Sequence, residues 1–270
     1  MTEHRLDIIA EKWNEEENKF FEDQTISDNF FKLELIGNKR TGDQIEDWKP
    51  PDSEKMEELL KNWDGMNPLT LNIPERGLVQ EFDDLLSENK VPIKLPEIGK
   101  MVLWKSSKVT DFIKGSFLQQ YGLIINEEVI SIFDKFNLGE HNYFPLEILH
   151  KERVFKNYYF FRNSATIENY IDYAKSNFYI QKGYFGFETR RTIDVKSKKD
   201  INKMRNDFSG QNIFILASKI YFTQDFPNFD LFKTDTFGIH GNFISKHLKD
   251  ALQNVTGVKI LKTNRIENWR

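Results

Sequence analysis

Two stretches, LIINEEVISIFDKFNLG at residues 123–139 and FISKHLKDALQNVTG at residues 243–257, decide how the rest of this chain is read. In each, a residue able to cap a helix (Asn126, Ser245) is followed by an apolar residue three positions on (Val129, Leu248), by another four further (Phe133, Leu252), and later by a glycine (Gly139, Gly257). An Asn or Ser side chain satisfies an orphaned amide of the first helical turn, and apolar residues at this spacing share one helix face. The glycine supplies the left-handed backbone that commonly ends a helix. Each stretch leads into an apolar strand (Tyr143, Phe144; Val258, Ile260) and follows an aromatic-glycine pair, Tyr121-Gly122 or Phe237-Gly238. The pattern predicts two similar capped helices and a weak internal duplication of a strand, capped helix, glycine and strand unit.

Around these helices the second part of the chain reads as strands. Met101 to Trp104, Tyr143 to Ile148, Tyr158 to Phe161, Tyr184 to Val195, Ile213 to Leu216 and Val258 to Leu261 are rich in β-branched or aromatic residues and bounded by turn formers. Runs of strands interrupted by only two helices do not alternate as a doubly wound parallel sheet does. The expected fold class is therefore α+β, a mostly antiparallel twisted sheet carrying two similar capped helices over residues 101–270. An acidic, more irregular part spans residues 1–100. That part predicts an amphipathic helix over Leu6 to Phe21, a strand at Phe30 to Leu35, a break at Pro50-Pro51, and a helix capped by Ser53 with Met56, Leu59, Leu60 and Trp63 on one face. Residues 65–100 read as loop with strand fragments and one helical turn near Phe82 to Leu86.

Charge divides the chain at the same place. Residues 1–100 hold 13 basic against 24 acidic side chains, and residues 101–270 hold 25 against 18, so an acidic region faces a basic one within a chain of net charge -4. A field of this kind steers oppositely charged partners. A sequence pI near 5.8 argues against a dedicated nucleic-acid binder, for which a domain pI above about 9 is typical. Aromatic residues make up 14% of the chain, which excludes a disordered polymer. The absence of cysteine removes disulfides, thiolate metal sites and cysteine nucleophiles. No apolar run approaches the roughly 20 residues of a membrane span, and Met1 to Ala10 is charged, so a cytoplasmic location is expected.

Catalytic and cofactor motifs are not found. The histidines His4, His141, His150, His240 and His247 lack the spacing that places two imidazoles on one helix face with a carboxylate between, and neither a nucleophile elbow nor a phosphate-cradling glycine loop occurs. The expectation is no metal, no small-molecule cofactor and no catalytic residue. Arg190, Arg191, Lys196, Lys198 and Lys199 cluster around Thr192 to Val195 and read as a solvated hairpin, with a phosphate or acidic-partner site as the alternative.

The order of short motifs over residues 101–262 adds a resemblance. Leu123 to Val129, Phe144 to Ile148 with its Pro145 and Glu147, Tyr158 to Phe161, Ile171 to Ser176 with its Asp172, Asp230 to Lys233 with its Phe232, and Phe243 to Ser245 ahead of Thr256-Gly257-Val258 are together similar to immunity-protein family eleven of bacterial polymorphic toxin systems, formerly a domain of unknown function. The resemblance covers about 160 of the 270 residues; Asn126 departs from the serine usual there, and residues 183–211 are longer and more basic than the family pattern. It implies an intracellular protein, not an enzyme, that binds a cognate protein toxin and neutralises it by stoichiometric occlusion. It brings no catalytic residue with it.

The alternative is a hydrolase or damage-reversing enzyme whose carboxylate or histidine site the sequence does not reveal. For the inhibitor, the acidic excess offers a partner-binding patch: Asp43, Glu46, Asp47, Asp52, Glu54, Glu57 and Glu58 crowd around the Pro50-Pro51 break, beside Trp48 as an aromatic anchor.

Overall fold

A computed structural model describes residues 27–40, 42–49, 84–86, 91–115, 117–165, 167–183, 190–263 and 265–267. The expected helices of residues 6–21 and 53–63 lie outside the described residues, as do 184–189 of the strand expected at Tyr184 to Val195. The fold is mixed α+β, mostly strand with few helices, and its sheets are largely antiparallel. Among the described residues there are three sheets where the sequence suggests one.

The largest contains β2 (Ile45–Lys49), β3 (Lys100–Leu103), β6 (His141–His150), β7 (Arg153–Asn163), β5 (Leu123–Asn126) and β4 (Phe112–Ile113), in that order across the sheet. Helix α1 (Glu127–Phe133) connects β5 to β6. Both of those strands are antiparallel to β7, so they run parallel to each other with β7 between them. The second sheet has the order β11 (Leu231–Thr236), β12 (Ile239–Ser245), β1 (Ser27–Leu35) and β13 (Val258–Thr263). Helix α3 (Lys246–Ala251) connects β12 to β13, and β1 lies antiparallel between them. The two sheets thus hold one arrangement, a split β-α-β unit with an antiparallel strand inserted and a further antiparallel strand outside.

Their registers agree: Asn126 faces Tyr158 in the first unit, as Ser245 faces Phe30 in the second. The inserted strand follows its unit by a hairpin in one case and comes from the acidic N-terminal region in the other. Division of the chain near residue 100 is therefore one of charge; the hydrogen bonding of β1 and β2 crosses it.

The third sheet, β14 (Ile266–Glu267), β10 (Ile213–Tyr221), β8 (Asn177–Lys182) and β9 (Arg190–Ile193), packs with helix α2 (Lys198–Asp207). Alternation of side chains along each strand builds the layers between sheets. In β5, Leu123 and Ile125 face the core that holds Val129, Phe133, Leu248 and Leu252 of the two helices, while Ile124 faces a second core with Phe160, Ile148 and Met101. In β1, Phe31 and Leu33 enter the helical core, and Phe30 turns the other way to meet Phe222 and Phe232 edge-on, in the core under the third sheet. All four residues of β5 are buried because both faces of its sheet are covered, which is why it reads as an unbroken apolar run.

Candidate functional site

Among the sequence-predicted partner residues, Asp43, Glu46 and Asp47 fall on one edge of the largest sheet. Strand β2 is one of its two outer strands, antiparallel to β3. Gln44 anchors its start: the side chain is buried, donates to the Lys108 carbonyl at 2.8 Å and Thr110 Oγ1 at 2.9 Å, and accepts from the Lys114 amide at 2.9 Å. With Gln44 turned inward, Asp43, Glu46 and Asp47 are exposed.

The structure corrects two features of the expected patch. Residues 45–49 form a strand instead of the irregular approach to a proline break, because pairing with β3 satisfies their main chain, including that of Trp48 against Met101. The surroundings are also of mixed charge. Asp43 lies 3.8 Å from the Lys114 ammonium, and Glu46 borders a shallow groove with Lys105, Lys151 and Glu152. Asp52, Glu54, Glu57 and Glu58 lie outside the described residues.

The basic cluster occupies the third sheet. Arg190 and Arg191 begin its edge strand β9, which pairs antiparallel with β8 as the hairpin reading expects, while Lys198 and Lys199 open helix α2 beyond it. Ser197 caps α2 by accepting from the Asp200 amide at 3.3 Å, while the Asp200 carboxylate accepts from the Lys196 amide at 3.1 Å. This reciprocal box holds the Asp200 carboxyl below its ordinary range, through the Lys196 amide first and Ser197 second.

The arrangement that sequence reasoning missed joins the two β-α-β units. Asn126 and Ser245 each accept from the amide three residues on, at 3.1 Å and 3.2 Å, and each also donates to an aspartate 15 residues upstream. Asp111 takes Asn126 Nδ2 on one oxygen at 2.7 Å; on the other it takes the amide and hydroxyl of Thr256, beyond the second helix, at 2.7 and 2.6 Å. Asp230 takes the Ser245 hydroxyl at 2.5 Å on one oxygen and, on the other, the amide of Asn137, beyond the first helix, at 2.9 Å. Adding 119 to positions 111, 126 and 137 gives 230, 245 and 256. A signal for this existed, since aligning the two caps also aligns the two aspartates.

Burial pushes the Asp111 carboxyl up, but the bonds from Thr256 and Asn126 outweigh it and hold the group below its ordinary range. Gly257 belongs to the same junction, because a Cβ there would stand 2.2 Å from the Phe112 carbonyl oxygen. Both carboxylates are engaged in holding the units together.

Among the described residues no three His, Cys, Asp or Glu side chains gather as metal ligands, and no helix is long and apolar enough to cross a membrane. No family model matches this chain, and no curated protein matches it.

Proposed function

We propose that this chain is a cytoplasmic immunity protein that neutralises a cognate protein toxin by binding it in one-to-one proportion. The observation that carries the proposal is the edge formed by β2 and the residues leading into it, where Asp43, Glu46 and Asp47 are exposed and Glu46 borders a groove with an apolar floor of Val102, Leu103 and Leu149. Charged groups around a small apolar centre are the usual composition of a binding face. An acidic edge of this kind complements a basic, nucleic-acid-attacking toxin, speeding encounter and competing with phosphate. The resemblance of the order of short motifs over residues 101–262 to immunity-protein family eleven supports the same reading.

The test has two stages. Tagged chain is first used to capture its partner from native lysate, and co-expression must restore growth to cells making that partner. Asp43, Glu46 and Asp47 are then reversed to Lys and association is timed at low and high salt. The expected result is association slowed about tenfold or more at low ionic strength, with the rates converging as salt screens the field. Failure of the captured partner to be neutralised removes the immunity reading, and an unchanged rate at low salt removes this edge from the interface.

A further inference from the structure

The open face of the largest sheet carries a row of apolar residues in register across three strands. Val102 of β3 pairs with Leu149 of β6, and Leu149 pairs with Val154 of β7. Their neighbours along each strand, Met101, Ile148 and Phe155, turn the other way to the core of Leu103 and Tyr158, so the row points outward. Val102 and Leu149 are half-buried, and Val154 is 38% exposed. Further along β7 the same face is closed, since Phe161 meets Phe133 of α1 edge-on. The row itself stays open, and a shallow groove of about 430 Å3 runs along Val102 and Leu149.

Charged residues flank the row on both sides. Toward the turn between β6 and β7 stand Glu46, Lys105, Lys151 and Glu152, in order from β2 to β7, and all four are exposed and line the groove. On the other side, in the same order, stand Lys49, Lys100, Glu147 and Lys156. Lys49 pairs with Lys100 in the ladder, and Lys100 with Glu147. The Glu147 carboxylate lies 3.6 Å from the Lys100 ammonium and 3.3 Å from that of Lys156, which sets the three on one face. The first flank therefore reads acid, base, base, acid, and the second base, base, acid, base.

We propose that this face binds a second copy of the chain, about a two-fold axis that lies along the row. Such an axis stacks row on row and lays each flank on the opposite flank of the second copy. Glu46 then meets Lys49, Lys151 meets Glu147 and Glu152 meets Lys156, each contact made twice; Lys105 against Lys100 is the one like pair in these columns. Asp47, which pairs with Val102 at the β2 end of the row, faces its own mate at the exposed rim, where solvent screens the repulsion. An apolar centre inside a rim of charges is the anatomy of a protein interface. Four strands about 4.8 Å apart make a face at the small end of interface sizes, so the dimer is reversible. It covers the groove beside Glu46, and a toxin using that groove meets it only after the copies part. The dimer does not rest on the toxin reading, and purified chain alone decides it.

The test is sedimentation velocity on the whole chain from about 1 to 300 μM, across which a reversible dimer raises the average mass with concentration. That rise is expected. Val154→Asp sets two carboxylates against each other across the axis, and should leave a monomer throughout with the thermal midpoint of the parent. Glu152→Lys and Lys156→Glu each turn an opposite pair into a like pair, twice over, and should weaken the dimer about tenfold. Combining the two restores the pairing and should return the dimer to within about twofold of the parent. Should Val154→Asp lose the fold, this charge-swap series decides alone. A chain that stays monomeric at about 300 μM leaves the face to another partner and overturns the proposal. So does a dimer that Val154→Asp leaves intact, or a double variant that dimerises no better than the single ones.

Discussion

Asp111 and Asp230 occupy equivalent positions in the two β-α-β units, and each spends one carboxylate oxygen on its own unit's helix cap and the other on the loop that follows the helix of the opposite unit. The reciprocity matters because neither helix is long: α1 has 7 residues and α3 has 6. Helices of that length are unstable alone and depend on caps and packing. Each aspartate therefore fixes a cap within one unit and a contact between units.

Loss of either aspartate should be felt in both units. Asp111→Ala and Asp230→Ala are each expected to cost about 1–3 kcal/mol in urea unfolding, and the double variant should depart from additivity because the two clasps hold the same pair of helices. The Asp111 carboxyl sits below its ordinary range when folded, so its stabilising contribution is present above pH about 4 and is lost as pH falls through the lowered folded value. Asp111→Asn should flatten the acid limb of a stability-against-pH curve. An acid limb identical to that of the parent would show that the carboxylate is not under this constraint.

The caps themselves should be worth measuring separately. Asn126→Ala and Ser245→Ala each remove an acceptor for a first-turn amide and should cost about 1 kcal/mol or somewhat more, since an aspartate loses a donor as well. Denaturant midpoints unchanged in both variants would count against the caps.

Truncation in the shared helical core should be more severe. Phe133 is fully buried and packs edge-on to Phe112 and Phe161, and Leu252 is 1% exposed in the same cluster. Replacing either by Ala should cost roughly 2–5 kcal/mol through lost transfer energy and the cavity left behind. A loss under about 1 kcal/mol would mean the core collapses around the gap.

The turn between β6 and β7 offers a gain in stability. Lys151 and Glu152 are its two central residues and both have positive φ, 49° and 68°, a conformation that Asn-Gly adopts with far less strain. Changing the pair to Asn-Gly should raise stability by about 1 kcal/mol, read as a higher thermal midpoint. Because this turn borders the groove beside Glu46, the same variant also reports whether the strained pair contacts the partner.

What was legible in the sequence was local. The caps at Asn126 and Ser245 declare themselves within four residues, and FFKLEL reads as a strand from its own alternation. The position of that strand between β12 and β13 was not legible, because its partners lie far along the chain and nothing local encodes their register. Helix α2 escaped because KKDINKMRND carries only Ile201 and Met204 as an apolar face. Strand β2 escaped because it is short and ends against Pro50. Of the candidate partner patch, the sequence located the charge of Asp43, Glu46 and Asp47 but neither the strand that displays Glu46 and Asp47 nor the cations nearby.

Strand β1 is made early and used late. Its two neighbours begin at residues 239 and 258, so roughly 200 residues must follow Leu35 before either exists. At a synthesis rate of about 5–20 residues per second, FFKLEL waits on the order of 10–40 s. During that interval Phe30, Phe31 and Leu33, all buried in the finished molecule, belong to an apolar segment with open edges, the kind that pairs with other nascent chains. Order of synthesis and order of use run in opposite directions here, and a chain cut anywhere before residue 239 would carry that strand with neither neighbour to pair with.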